Sequence, residues 1–291
     1  MNNQCLPQLS SMQTLKLMSR IKSTTCSFVL LFILLIPALS FSQGTAKSHT
    51  TPGKWLIVEN FEFPLAVCAT TDSVINGRVN FAASLEFNLT SEIGIMMVFL
   101  QQFVGKAFPK MTIRTMDFDG QPKEDMVYTS VLITDLSISE LDAGSRDLAK
   151  VQVRFNSNTA TLLKASAGQK QTSFTPGKAV LASNFRVTIG NLPTSRVSLV
   201  GDLTIQSNEV FKVQISAAEE EEWRTLFYKG QTQGMSGKIE LMSPNLRDVI
   251  LVFNLTGLEL LSMTKQTISN SALVSRFTVL FRAKNITLSQ K

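Results

Sequence analysis

The stretch 51-TPGKWLIVENFEF-63 returns 124 residues later as 175-TPGKAVLASNFRV-187, with six of thirteen positions identical. A chain that repeats itself at this spacing is expected to fold as two copies of one unit, so the repeat constrains the architecture before any motif does. The match extends to the far ends of the two halves. Val153, Phe155, Thr161 and Leu162 align with Val279, Phe281, Thr287 and Leu288 at an offset of 126, and Thr134-Asp135-Leu136 aligns with Thr256-Gly257-Leu258 at 122.

Hydrophobic periodicity supplies the content of each copy. In 55-WLIVENFEFPL-65, Trp55, Ile57, Phe61 and Phe63 predict a strand with one buried face, and Trp223 of the second half is likewise assigned to the core. The run 78-RVNFAASLEFNLT-90 puts Val79, Phe81, Ala83, Leu85, Phe87 and Leu89 on one side of a long strand. Ile93, Met96, Met97, Leu100 and Val104 then recur at three and four residues, which predicts a helix capped by Ser91 and closed by Gly105. Strands over 110–118, 126–139 and 148–155 follow, with a hairpin at Asp119-Gly120. The second half repeats the order: strands at 185–189, 196–205 and 210–216, a helix over 217–230 capped by Ser216, then strands at 237–242, 248–260 and 274–288. The predicted fold class is mainly β (α+β), two tandem small β-barrel domains over 54–163 and 178–291, each with one α-helix, joined by a polar linker at 164–177.

Residues 1–42 read as a signal peptide. Lys16, Arg20 and Lys22 precede 28-FVLLFILLIPAL-39, and the small residues of 40-SFS-42 favour cleavage before Gln43. The apolar run is short of the ~20 residues that cross a bilayer as a helix, so no membrane span is expected in the mature chain. Residues 43–53 form a loose N-terminal segment. The expected location is exported, periplasmic or extracellular. Cleavage removes three of the 28 basic residues and none of the 22 acidic ones, lowering the formal charge from +6 to +3. Basic residues alternate with acidic ones rather than clustering, so nucleic acid is not an expected partner. Cys5 and Cys26 leave with the signal, and Cys68 then has no intramolecular partner to form a disulfide with.

The residues that carry chemistry are sparse. The one histidine, His49, lies in the loose segment before the first strand, and one His with one Cys cannot furnish a zinc site. Asp117-Phe118-Asp119-Gly120 opens like a calcium loop but lacks the acidic residue at its far end, where Tyr128 stands, so a hairpin is favoured. Glu219 to Glu222 suit a solvated helix start. Met96, Met97, Phe61 and Phe185 read as core. Asn88, Asn254 and Asn285 fit the glycosylation pattern but fall in predicted strands. The expectation is no enzyme, with no catalytic, cofactor-binding or metal residues and no cofactor.

The first half, through Gly105, Lys106, Ile113, Asp119, Gly120, Tyr128, Leu136 and Phe155, resembles the haemolysin-coregulated proteins of the type VI secretion tube. The second half, through 237-GKIELMSPNLRDVILVFNLTGLEL-260 and 273-LVSRFTVLFRAKNITL-288, resembles the tail-tube proteins of contractile phages. The resemblance implies a small barrel that self-associates into six-membered rings and tubes without catalysis. Three two-domain chains would make a pseudo-hexameric ring, its cargo or effector unspecified. An exported signal and shortened halves depart from that family. The alternative function is a monomeric envelope or extracellular binding module for glycan or lipid.

Overall fold

The computed structural model describes residues 53–59, 61–75, 78–165, 177–230, 233–265 and 275–291; the signal peptide, His49, and most of the N-terminal segment and linker lie outside them. Strands β1 (Lys54–Val58), β2 (Phe61–Pro64), β3 (Val67–Ile75) and β4 (Arg78–Asn88) precede helix α1 (Ser91–Leu100). Strands β5 (Ala107–Met116), β6 (Pro122–Ile138), β7 (Leu141–Asp142), β8 (Lys150–Ser157) and β9 (Thr159–Lys164) follow it. The second half contributes β10 (Phe185–Ile189), β11 (Val197–Val200), β12 (Leu203–Thr204), β13 (Glu209–Ser216), helix α2 (Glu220–Tyr228), β14 (Met235–Met242), β15 (Val249–Lys265), β16 (Arg276–Ala283) and β17 (Asn285–Ser289).

The fold is mainly β, with two sheets and two short α-helices among the described residues. One sheet runs β2-β1-β5-β6-β8-β4-β3, with β9 and β12 also on β6; the other runs β10-β14-β15-β16-β13-β11-β7, with β17 on β15. Apart from β2, β7 and β12, the two orders are the same. The long strands β6 and β15 are each 17 residues and start 127 positions apart, at Pro122 and Val249. Each carries an extra residue at the same place: the register against β8 slips between Ile133 and Asp135, and that against β16 between Leu260 and Ser262. A bulge lets one strand bend far enough to serve both ends of a rolled sheet.

Left-handed backbone recurs in step with the ladders. Glu59 (φ 51°) ends β1 as Gly190 (φ 48°) ends β10; Gly120 and Leu246 (φ 75° and 57°) turn the hairpins β5–β6 and β14–β15; Ser130 and Gly257 (φ 51° and 63°) sit inside β6 and β15. In each pair one copy uses glycine and the other a residue that resists this conformation.

The registers also show which sequence matches were structural. Leu56 faces Ile113 as Val187 faces Ile239, so β1 and β10 are offset by 131 rather than 124. The repeated TPGK strings are therefore not equivalent: Lys54 opens β1, whereas Lys178 lies well before β10. The offset of 126 at the final strands holds, since Val153 faces Leu85 as Val279 faces Val213. The offset of 122 for Thr134-Asp135-Leu136 gives way to 127.

Packing bears out the long alternating strand from Ala83 onward, with Ala83, Leu85, Phe87 and Leu89 buried, while at its start Phe81 is half-buried and Val79 exposed, and it corrects the first one. Glu59 breaks 55–65 into β1 and β2, and in β1 it is Leu56 and Val58 that are buried, while Trp55 and Ile57 are only half-buried and Phe61 is 45% exposed. The left-handed turn reverses the chain, so the alternation on its two sides belongs to two strands. Strand 196–205 likewise divides at Gly201 into β11 and β12. Trp223 is fully buried, its Nε1 donating to the Pro193 carbonyl at 2.8 Å. Residues 50–291 form one compact unit with a hydrophobic core drawing on both sheets. Each half lends a two-residue strand to the other's sheet: β7 pairs with β11, and β12 with β6.

Candidate assembly surfaces

Helix α1 is apolar nearly all round (SEIGIMMVFL), as a helix covered on several sides must be. Its cap is Thr90 rather than Ser91: the Ile93 amide donates to Thr90 Oγ1 at 3.4 Å. Ile93, Met96, Met97 and Leu100 are buried in the core. Gly94 faces the second half, where a Cβ would meet Gln290 Nε2 at 3.5 Å and the Ile250 carbonyl oxygen at 3.7 Å, ordinary contact distances. Gln101, just past the helix, completes the contact. Its Nε2 donates to the Leu288 carbonyl at 2.9 Å and its Oε1 accepts from the Leu288 amide at 2.7 Å. One side-chain amide thus stands in for a missing neighbour strand on the outer edge of β17, and Gln290 Nε2 donates back to the Ser91 carbonyl at 3.2 Å.

This contact is one-sided: the helix of the first half sits on the last strand of the second. Among the described residues, the counterparts of both surfaces have no such contact. Strand β9 occupies the place of β17, since Tyr128 faces Ala160 as Leu255 faces Ile286. Leu288 is 5% exposed, whereas its equivalent Leu162 is 59% exposed. Strand β3 occupies the place of β11, yet β11 carries β7 on its outer edge and β3 has no strand there among the described residues. Val67 and Val74 on β3 are exposed.

The equivalent of α1 is α2, and its outward face is polar. Glu220 accepts from Arg224 at 2.8 Å and meets Lys265 at 3.3 Å beside a surface groove of about 420 Å³ edged by the exposed Tyr228. The Arg224 hydrogen bond, with help from Lys265, holds the Glu220 carboxyl below its ordinary value. Glu219 departs from the expected solvated helix start: it is buried, and its Oε1 accepts from Ser195 Oγ at 2.8 Å. The preceding 3-10 turn lowers Glu219 into the groove between helix and sheet, while Glu221 and Glu222 stay exposed.

Equivalent buried positions carry opposite charges. Arg114 on β5 bonds to Asp125 at 2.8 Å and Glu62 at 3.2 Å; its equivalent on β14 is Glu240, which bonds to Arg186 at 2.6 Å and Lys238 at 3.1 Å. The Arg186 hydrogen bond, assisted by Lys238 and opposed by burial, depresses the Glu240 carboxyl. The two centres have reversed polarity: one buried cation between two carboxylates in the first half, and one buried carboxylate between two cations in the second.

The remaining residues singled out from sequence find structural places. Asp117 Oδ1 accepts from the amides of Asp119 and Gln121 at 2.9 and 2.7 Å, which commits that carboxylate to the hairpin. Asn254 Nδ2 donates to Ser289 Oγ at 2.9 Å, while Asn88 and Asn285 sit exposed at strand ends. Cys68 is half-buried, its thiol pushed up by burial and partly offset by Lys54. Burial also pushes the Tyr128 phenol up to about 12. Among the described residues no three His, Cys, Asp or Glu side chains group as metal ligands, and no helix is long and apolar enough to cross a membrane. No protein-family model matches the chain, and the search of curated proteins finds no match.

Proposed function

We propose that this chain is a non-enzymatic, exported structural protein that self-associates head to tail, in rings or a tube like those of the type VI and phage tail-tube proteins it resembles. The observation that carries the reading is the α1–β17 contact inside one chain, together with the uncovered equivalents of its two sides. Repeating it between chains sets α2 of one copy against β9 of the next. A head-to-tail contact of this kind closes a ring when its rotation divides a full turn, and otherwise grows a filament. Two units per chain make three chains a pseudo-six-fold ring. The joint between chains is more polar than the joint within one, as suits partners that must first exist apart.

Light scattering and electron microscopy on the purified chain test this. Assemblies in multiples of three chains are expected, and Leu162→Glu, a change at an exposed site, should reduce them to single chains. A single-chain mass at the highest soluble concentration, without rings, would overturn the proposal and favour a monomeric module for glycan or lipid.

A further inference from the structure

The two halves differ most at the strand after the first left-handed turn. In the first half β2 pairs along β1, Leu56 facing Phe63 and Ile57 facing Glu62. In the second half the same turn, closed by the Leu192 amide donating to the Ile189 carbonyl at 2.9 Å, leads away from β10. Trp223 Nε1 holds the Pro193 carbonyl at 2.8 Å and draws the chain toward α2. Only a side chain bridges back: Thr194 Oγ1 donates to the Val187 carbonyl at 2.8 Å.

A groove of about 610 Å³ opens where β2 would lie, lined by Phe185, Arg186, Val187, Val197 and Met242 among others. The ladder fixes which backbone groups face it. Met242 donates to the Asn184 carbonyl and Gly190 to that of Ser236, so Arg186 and Thr188 bond toward β14 while Phe185 and Val187 point their amides outward. They correspond to Lys54 and Leu56, whose backbone groups face β2 in the first half.

We infer that the β10 edge is a strand-acceptor site for an extended segment of a partner protein in which an acidic residue stands between apolar ones. Main-chain bonds to Phe185 and Val187 supply the pairing, and an incoming amide replaces the Thr194 hydroxyl on the Val187 carbonyl. Charge selects the central residue. In β2, Glu62 reaches across β1 to Arg114 at 3.2 Å. In the second half the residue facing Thr188 lies on the same sheet face as Arg186 and Lys238, two half-exposed cations that share the single carboxylate of Glu240. That face carries one positive charge in excess, which a visiting carboxylate neutralises. The flanking apolar residues turn to the other face, toward Val187 and Val197, as the buried Phe63 does in β2. This site shares no surface with α2, β3 or β9, so it stands or falls apart from the ring reading.

The probe is a synthetic FEFPL peptide, the chain's own 61–65, titrated into the full chain by fluorescence anisotropy, with amide hydrogen exchange on the complex. Saturable binding is expected, with slowed exchange at Phe185 and Val187. Thr188→Glu, at an exposed position, and an FKFPL peptide should each weaken binding at least tenfold. Three outcomes overturn the proposal: no saturable binding; slowed exchange confined to Lys54, Leu56 and Val58, which marks strand exchange with β2; or slowed exchange at Phe185 and Val187 without peptide that rises with protein concentration, which makes the occupant a second copy.

Discussion

Ser130 and Gly257 occupy the same place in the two copies of the 17-residue strand, both left-handed, at φ 51° and 63°. For a residue with a Cβ this conformation costs about 1–2 kcal/mol, whereas glycine adopts it freely but gives up more chain entropy, about 0.5–1 kcal/mol, on folding. Ser130 is exposed, so replacing it loses no core contact. Ser130→Gly should therefore stabilise the protein by roughly 0.5–1 kcal/mol. The reverse change carries a further term. A Cβ at Gly257 would lie 2.7 Å from the Lys284 Cβ, closer than two carbons sit, so the turn between β16 and β17 must shift. Gly257→Ser should cost about 2–3 kcal/mol, the sum of lost permissiveness and that overlap. Urea titration followed by tryptophan fluorescence at constant m-value measures both, and the pair should move the midpoint in opposite directions. Glu59→Gly and Leu246→Gly extend the test, since Gly190 and Gly120 hold their places in the other copy. If Ser130→Gly destabilised, or Gly257→Ser were silent, the equivalence of the copies at the level of single backbone angles would be refuted.

Gln101→Ala should cost about 1–3 kcal/mol, because it leaves both backbone groups of Leu288 without their side-chain partners, and hydrogen exchange at Leu288 should accelerate more than at its ladder-bonded neighbours. Glu240 has a depressed folded value, so its contribution is fully present above the ordinary carboxylate value, about 4.3, and is lost as pH falls through the lower folded one. Glu240→Gln should accordingly lower stability at neutral pH and leave a shallower loss on acidification. Parallel acid-unfolding curves for the two proteins would contradict the Arg186–Glu240 assignment.

The legible parts of this fold are those where one face of one element is buried without interruption. Strand β4 and helix α1 declare their periods because Leu85, Phe87 and Leu89, then Ile93, Met96, Met97 and Leu100, all reach one core. Strand β3 (VCATTDSVI) stayed hidden because it is an edge with little to bury, and nothing in its pattern distinguishes it from a loop. The phase of β1 was misread because Glu59 is not a residue that announces a left-handed turn, although its counterpart Gly190 is. β7 and β12 are two residues each and exist only through pairing with the other half, which no local pattern records. The candidate surfaces were invisible for a related reason. The repeat pairs Leu162 with Leu288 but does not record that one is 59% exposed and the other 5%, since that difference comes from the cover that α1 and Gln101 give β17, and Glu219 looks solvated until the 3-10 turn tucks it under Ser195.

The exchange of β7 and β12 has a consequence for the chain as a covalent object. Each sheet borrows its last hydrogen bonds from the other half, and α1 shelters a strand that belongs to the other half. Severing the backbone within 166–176 would therefore leave two fragments that remain clasped, a heterodimer in all but its peptide bond.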